Sequence, residues 1–418
     1  MSKRVSIITL GCKQNKYESD CMAGILKRNG FEVFDGLVEA DIYIINTCAV
    51  TAEAEKKSRQ YVQKCNKLNS QCKIIVCGCA SENNLEQFKS KNNVVSIFGT
   101  EGKQNILKYV ENIIAEREEL STVYCSPTTP EKNTTREYIK IQDGCNNFCS
   151  YCLIPYLRGR SRSRDIEDIV AEAEMIAKRS HEIVLTGIDI SSFKVNDKLA
   201  LPLLMSRLKG VSALISLGSL EMNVITEELL DVLSEMPNFS PHFHLSLQSG
   251  CDEILKKMNR HYTSQEFYSK VQLIRRYFPL ANLTTDIIVG FAGESDEQFE
   301  ETKNFIIKCG FSFVHIFPYS KREGTKAYNL PDLSSSIKKA RVDILEDVNA
   351  QLQKEYLTRF IGEKSLLLAE EKKEYWEGFS TEYIRCYSSD ELESGKLYNI
   401  EFIEIFNNGL KVKIIGEK

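Results

Sequence analysis

The sequence predicts an α/β protein in three parts: an N-terminal open parallel sheet flanked by helices, a central partial (β/α)6 barrel, and a small C-terminal antiparallel β-barrel. Three observations predict it. Short apolar runs alternate with amphipathic stretches through most of the chain, a Ser, Thr and Pro-rich tract interrupts that alternation near residue 130, and after about residue 360 the pattern changes to short strands alone. A chain of 418 residues is also too long for one core.

The first part, over 1–120, begins with VSIITL, a helix near Ser19 to Arg28, the strand DIYIINT, a polar helix and the strand KIIVCG. Cys12, Cys48 and Cys79 each stand just after one of these strands. Loops after the C-terminal ends of parallel strands converge on one edge, so three thiols far apart in sequence can meet there. The tract Ser121 to Thr135 lacks apolar periodicity and reads as a linker.

The second part, over 136–355, has six strand segments with intervening helices: YIKIQDG, EIVLTG, ISLGSLE, FHLSLQSG, LTTDIIVGF and FVHIFPYS. Active-site groups are expected at their C-terminal ends. A charged helix around Ser336 to Phe360 leads into the third part, 356–418, with strands SLLLAEE, WEGFSTEYIRCYS, KLYNIEFIEIF and LKVKII.

Composition narrows the function classes. Hydrophobic residues make up 42% and charged residues 27%, the balance of a folded globular chain. The opening MSKRVSIITLGCKQNKYESD reads as a strand and not as a signal peptide, and no apolar run approaches the roughly 18 to 20 residues of a spanning helix, so a cytoplasmic protein without a membrane partner is expected. In that compartment fourteen cysteines point to metal or redox chemistry and away from disulfides. The formal net charge of −4 means that a nucleic-acid partner needs a local basic patch.

The chemistry is carried by DGCNNFCSYC, in which Cys145, Cys149 and Cys152 follow a strand with the spacing C-x3-C-x2-C. Three thiolates in one loop ligate three irons of a [4Fe-4S] cubane and leave the fourth open. Structural zinc takes four ligands, and no fourth Cys or His sits nearby. An open iron can be chelated by S-adenosylmethionine (SAM), whose sulfonium is then cleaved by one electron to yield a carbon radical.

The run IQDGCNNFCSYCLIPYLRGRSRSR resembles the signature of the radical SAM methylthiotransferases, with Ile154, Pro155, Arg158 and Gly159 in its pattern, and the resemblance extends over nearly the whole chain. It implies a second [4Fe-4S] cluster on Cys12 (TLGCKQN), Cys48 (INTCAV) and Cys79 (CGCAS). Cys77 is a rival for the third position, and Cys79 is preferred because the motif places the cysteine after the strand-ending glycine, Gly78. Cys21, Cys65, Cys72, Cys125, Cys251, Cys309 and Cys386 fit no motif and read as structural thiols. The segments LTGID, LSLQSG, MNRHYT and TTDIIVGFAGE are similar to SAM-binding segments, which makes Glu221, Gln248, Ser249, Arg260 and Asp286 the SAM-pocket candidates. Two departures stand out. Where relatives have Arg-x-Ser-Ser-x-Glu-Pro, this chain has Ser216, Gly218, Ser219, Glu221 and Met222, and Ala292 replaces a frequent proline.

Arg158, Arg160, Arg162 and Arg164, uninterrupted by acidic residues, are the RNA-contact candidates, because guanidinium groups grip phosphates by paired hydrogen bonds. The C-terminal barrel resembles the RNA-binding TRAM domain, although residues 355–418 hold thirteen acidic against nine basic residues, so a contact there must use one face, near Lys411 and Lys413, with Trp376 for stacking. The resemblance implies that a methylthio group is inserted at C2 of N6-threonylcarbamoyladenosine beside the tRNA anticodon, one SAM methylating sulfur at the N-terminal cluster and a second supplying the radical. The partners implied are tRNA and a one-electron donor. N6-isopentenyladenosine in tRNA and a ribosomal-protein aspartate are the alternative substrates. An iron-sulfur RNA-binding protein without catalysis is the alternative of another class.

Overall fold

A computed structural model describes residues 3–115 and 135–417. The expected linker, apart from Thr135, and Cys125 lie outside the described residues.

Strands β1 (Arg4–Thr9), β2 (Glu32–Asp35), β3 (Ile42–Thr47), β4 (Lys73–Gly78) and β5 (Val94–Ile97) form an all-parallel sheet in the order β2-β1-β3-β4-β5. The run IYIINT of β3 is buried throughout because both faces are covered. Helices Lys13–Arg28 and Ile106–Ala115 cover one face, with Met22, Leu26, Ile106 and Val110 on Ile42 and Ile44. Helix Ala52–Leu68 covers the other, with Val62 and Cys65 on Tyr43 and Ile45. The first helix starts at Lys13, six residues before the expected Ser19.

Strand β6 (Arg136–Lys140) opens the barrel. A two-residue ladder of β7 (Gln142–Asp143) with β8 (Arg162–Ser163) closes the loop that carries the cysteine triplet. Strand β9 (Glu182–Thr186), a small hairpin of β10 (Lys194–Val195) and β11 (Lys198–Leu199), β12 (Leu214–Leu217), β13 (His242–Gln248), β14 (Asn282–Val289) and β15 (Phe313–Pro318) follow. All six barrel strands are parallel, in two three-stranded ladders, β6-β9-β12 and β13-β14-β15. The ladders are stitched at Leu220, whose N–H donates to the His244 carbonyl at 2.8 Å and whose carbonyl accepts from Ser246 at 3.0 Å. The expected six-stranded barrel is therefore present, open beside β6. There the helix Lys13–Arg28 docks, and Tyr17 donates to Glu172 across the junction at 3.1 Å.

The long helix Ser335–Thr358 places Leu345 and Leu352 in the barrel core and Tyr356 and Leu357 in the core of the last sheet. It thus crosses the expected boundary at 355. The last five strands, β16 (Lys364–Lys372), β17 (Trp376–Ser380), β18 (Arg385–Ser388), β19 (Leu397–Phe406) and β20 (Gly409–Glu417), form a closed barrel in the order β16-β17-β18-β20-β19. WEGFSTEYIRCYS, read as one strand, is two, because the chain turns at Tyr383, where φ is +62°.

Candidate functional site

Cys12, Cys48 and Cys79 leave the adjacent parallel strands β1, β3 and β4 at one edge. Side chains brace the three turns. Asn15 Nδ2 donates to the carbonyls of Leu10 (2.7 Å) and Thr47 (3.0 Å). Thr47 Oγ1 donates to the Cys77 carbonyl (2.7 Å) and accepts from the backbone of Ala80 (3.1 Å). Two glycines are obligatory here. Gly11, at φ +98°, lies so close to Cys48 that a Cβ would meet its Sγ at 2.6 Å, and at Gly78, φ +101°, a Cβ would meet the Thr47 carbonyl at 2.6 Å. Burial raises the Cys12 pKa and holds Cys48 at about 11, and the neighbouring thiols push both further up. Cys77 instead points into the apolar core with Ile75 and Phe98, and burial pushes its thiol up to about 12.

In the barrel, Cys145, Cys149 and Cys152 share the loop after β7. Burial, reinforced by the adjacent thiols, pushes Cys145 up to about 11 and Cys152 to about 12. Each set therefore offers three thiols on neighbouring turns, a donor set that fits thiolate ligation of iron. Asp189 supplies a second sign of fit. Its Oδ2 accepts from Asn147 (3.2 Å) and lies 4.0 Å from Cys145 Sγ, while its Oδ1 is buried with no hydrogen-bond partner among the described residues. Burial raises its pKa against the lowering effect of Arg260.

Arg260 binds the same loop. Its Nη1 donates to Cys149 Sγ (3.3 Å) and its Nη2 to the Ser246 carbonyl (2.8 Å) and to the Glu221 carboxylate. Burial raises the pKa of Glu221, although Arg260 opposes it. Gln248 is half-buried at the end of β13, with φ +71° at a register shift. Ser249 is a correction to the sequence reading: it is fully buried, and its hydroxyl is engaged with Thr302 (3.1 Å) and the Cys251 backbone (3.3 Å), so it anchors a loop. Asp286 is also placed differently from Glu221 and Arg260. Its carboxylate is 3.2 Å from His244 Nε2 and opposite His315 in register, on a cavity that Cys12 also lines.

That cavity, of about 730 Å³, lies between the first sheet, the barrel strand ends and the C-terminal barrel. Gly11, Cys12 and Lys13 form one wall, Thr186, Gly187, Gly218 and Ser219 another, and Phe313, Phe317, Phe379 and Tyr383 supply aromatic surface. Sequence reasoning missed His244, His315 and Lys13. The histidines carried a usable signal: both fall on strands whose alternation turns them to the face that bears Asp286.

The arginine run divides. Arg158 is 3% exposed, and its guanidinium is committed to Glu18 (2.9 Å), Asp143 (3.3 Å), Asn15 (2.8 Å) and, through Nε, Cys79 Sγ (3.4 Å). Arg164 is paired with Glu172 at 2.7 Å. These two join the first sheet to the barrel and are withdrawn from the RNA-contact set. Arg160 is exposed and stacks over Phe148, 4.5 Å from the ring centroid, and Arg162 is exposed while its guanidinium donates to the Arg158 carbonyl at 2.7 Å and to Asp143 at 3.2 Å. On the last barrel, Trp376 packs against the core and Lys411 is paired with Glu404 at 2.9 Å.

Comparison with known proteins decides the family. Residues 139–306 match the Radical SAM superfamily, and residues 4–99 match the uncharacterized protein family UPF0004. The threonylcarbamoyladenosine tRNA methylthiotransferase MtaB of Bacillus subtilis is 33% identical, over 99% of this chain and 97% of its own. The chain belongs to the radical SAM methylthiotransferases. MtaB of Thermotoga maritima is 36% identical over 88% of this chain and 87% of its own, and the tRNA-2-methylthio-N(6)-dimethylallyladenosine synthase of Thermodesulfovibrio yellowstonii is 32% identical over 99% of each. Among solved structures, the radical SAM methyltransferase TsrM from Kitasatospora setae shares the fold, with a TM-score of 0.58 at 13% identity over 78% of this chain and 77% of that one. The protein is thus a radical SAM enzyme of tRNA methylthiolation, with SAM and [4Fe-4S] clusters as cofactors, and the reading without catalysis falls away. No helix among the described residues is long and apolar enough to cross a membrane.

Proposed function

We propose that this enzyme inserts a methylthio group at C2 of N6-threonylcarbamoyladenosine beside the tRNA anticodon. The observation that supports the reading is the cavity that Cys12 of the first cysteine set lines together with Thr186, Gly187, Gly218 and Ser219 at the C-terminal ends of β9 and β12, because it offers one base a place between that set and the barrel. Cys145, Cys149 and Cys152 would hold the cluster that binds SAM, and Cys12, Cys48 and Cys79 the second. Once bound, these groups supply the one-electron cleavage of SAM and the sulfur to be transferred.

The chain's own residues bind, orient and exclude water. Arg260 fixes the Cys149 turn and neutralises Glu221 beside it, while Asp189 offers a desolvated carboxylate oxygen to an ammonium group such as that of SAM. The aromatic walls suit a purine ring held by stacking. Arg160 and Arg162, on the exposed side of the cysteine loop, suit phosphates of the anticodon stem. A cellular one-electron donor completes the partners.

The relatives' names favour the threonylcarbamoyl substrate, and those named for dimethylallyladenosine keep N6-isopentenyladenosine as the second reading. The test is anaerobic reconstitution with iron, sulfide, SAM, dithionite and tRNA from a methylthiolation-deficient strain, followed by mass spectrometry of nucleosides. Methylthio-threonylcarbamoyladenosine is expected. Methylthio-isopentenyladenosine would replace the substrate assignment, and neither product, with both clusters present and SAM cleaved, would transfer it to a protein aspartate.

A further inference from the structure

The charged groups around the cavity are matched by neighbours, with one exception. Asp286 faces His244, Arg385 is paired with Glu377 at 2.7 Å, and Arg136, behind the aromatic wall, is paired with Glu182 at 2.8 Å. Glu182 also accepts from Ser216 Oγ at 2.8 Å. Lys13 lines the cavity beside Cys12 and has no hydrogen-bond or ion-pair partner among the described residues. Lys13 is exposed at the cavity wall, so its ammonium group is open to a ligand that brings an anion.

The N6 substituent of threonylcarbamoyladenosine ends in a carboxylate, and that of isopentenyladenosine ends in two methyl groups. We propose that Lys13 is a specificity residue that pairs with the carboxylate of the threonylcarbamoyl group, selecting the acidic substituent over an apolar one. The proposal rests on the substrate reading above. His242 and His315 face the same space and add no negative charge, so the carboxylate meets no opposing anion there except Asp286, which His244 already holds.

The test uses the reconstituted holoenzyme under anaerobic conditions and measures Kd for three anticodon stem-loops. They carry the threonylcarbamoyl group with its free carboxylate, the same group as its primary amide, and isopentenyladenosine. A charge-assisted pair shielded by the bound base corresponds to about a tenfold to hundredfold preference for the carboxylate over the amide. Lys13→Gln should erase that preference by weakening the carboxylate loop, with the amide loop bound as by the wild type. Lys13→Arg should retain most of it. Equal weakening of both loops, an undiminished preference in Lys13→Gln, or loss of iron from that variant would each overturn the assignment. A wild-type enzyme that binds the isopentenyladenosine loop as tightly as the carboxylate loop would overturn the substrate reading and the role of Lys13 with it.

Discussion

Replacing Arg158 with methionine should destabilise the junction between the first sheet and the barrel by about 2–4 kcal/mol. Removing one partner of a buried ion pair costs about 3–5 kcal/mol because the other charge is left without compensation. Here the loss is softened. Glu18 keeps Lys103 and Lys140 (3.0 Å), and Asp143 keeps Lys140 (2.7 Å) and Arg162 (3.2 Å). Anaerobic urea titration of the holoenzyme, with iron counted before and after, reads the effect. The midpoint should fall, and Glu18→Gln added to Arg158→Met should deepen the loss, since buried Lys103 then lacks the carboxylate it pairs with. A loss below about 0.5 kcal/mol, the scale of an ordinary exposed pair, would refute the reasoning.

The acid limb follows from the same cluster. Burial alone would raise the Glu18 pKa, but Arg158, Lys103 and Lys140 outweigh it and hold the group well below its usual range; Asp143 is likewise held at about 2. Depressed folded pKa values contribute stability above the unfolded carboxylate range of about 4, and that contribution is lost as pH falls toward 2. Stability measured across this window should drop more steeply in the wild type than in Arg158→Met. Gly78→Ala should lower the iron content by about four per chain, read by colorimetric iron analysis, because the new Cβ collides with the Thr47 carbonyl and displaces Cys79. Arg160→Ala should weaken tRNA binding and reduce the slope of log K against log salt by about 1 in fluorescence titrations, since its exposed guanidinium is free for phosphate.

Much of this architecture is legible in the sequence because it depends on local periodicity. The six barrel segments and the cysteines behind β1, β3 and β4 follow from strands that end in glycine or a turn. The arginine run misleads for the opposite reason. Its acidic partners Glu18, Asp143 and Glu172 lie 140, 15 and 8 residues away, so the bare run looks uncompensated until the helix Lys13–Arg28 docks on β6. Ser249 misleads because its partner Thr302 lies on a helix that begins 47 residues later. Lys13 was hidden by its neighbour, since the motif around Cys12 draws attention to the thiol, and only the assembled cavity shows the ammonium without a partner.

The most direct test of the central claim is to supply tRNA whose threonylcarbamoyladenosine carries deuterium at C2 and follow both the nucleoside and the 5′-deoxyadenosine by mass spectrometry. The account predicts that deuterium leaves the base as the methylthio group arrives and appears in 5′-deoxyadenosine. Deuterium retained in the base, while SAM is consumed and both clusters remain intact, would contradict it.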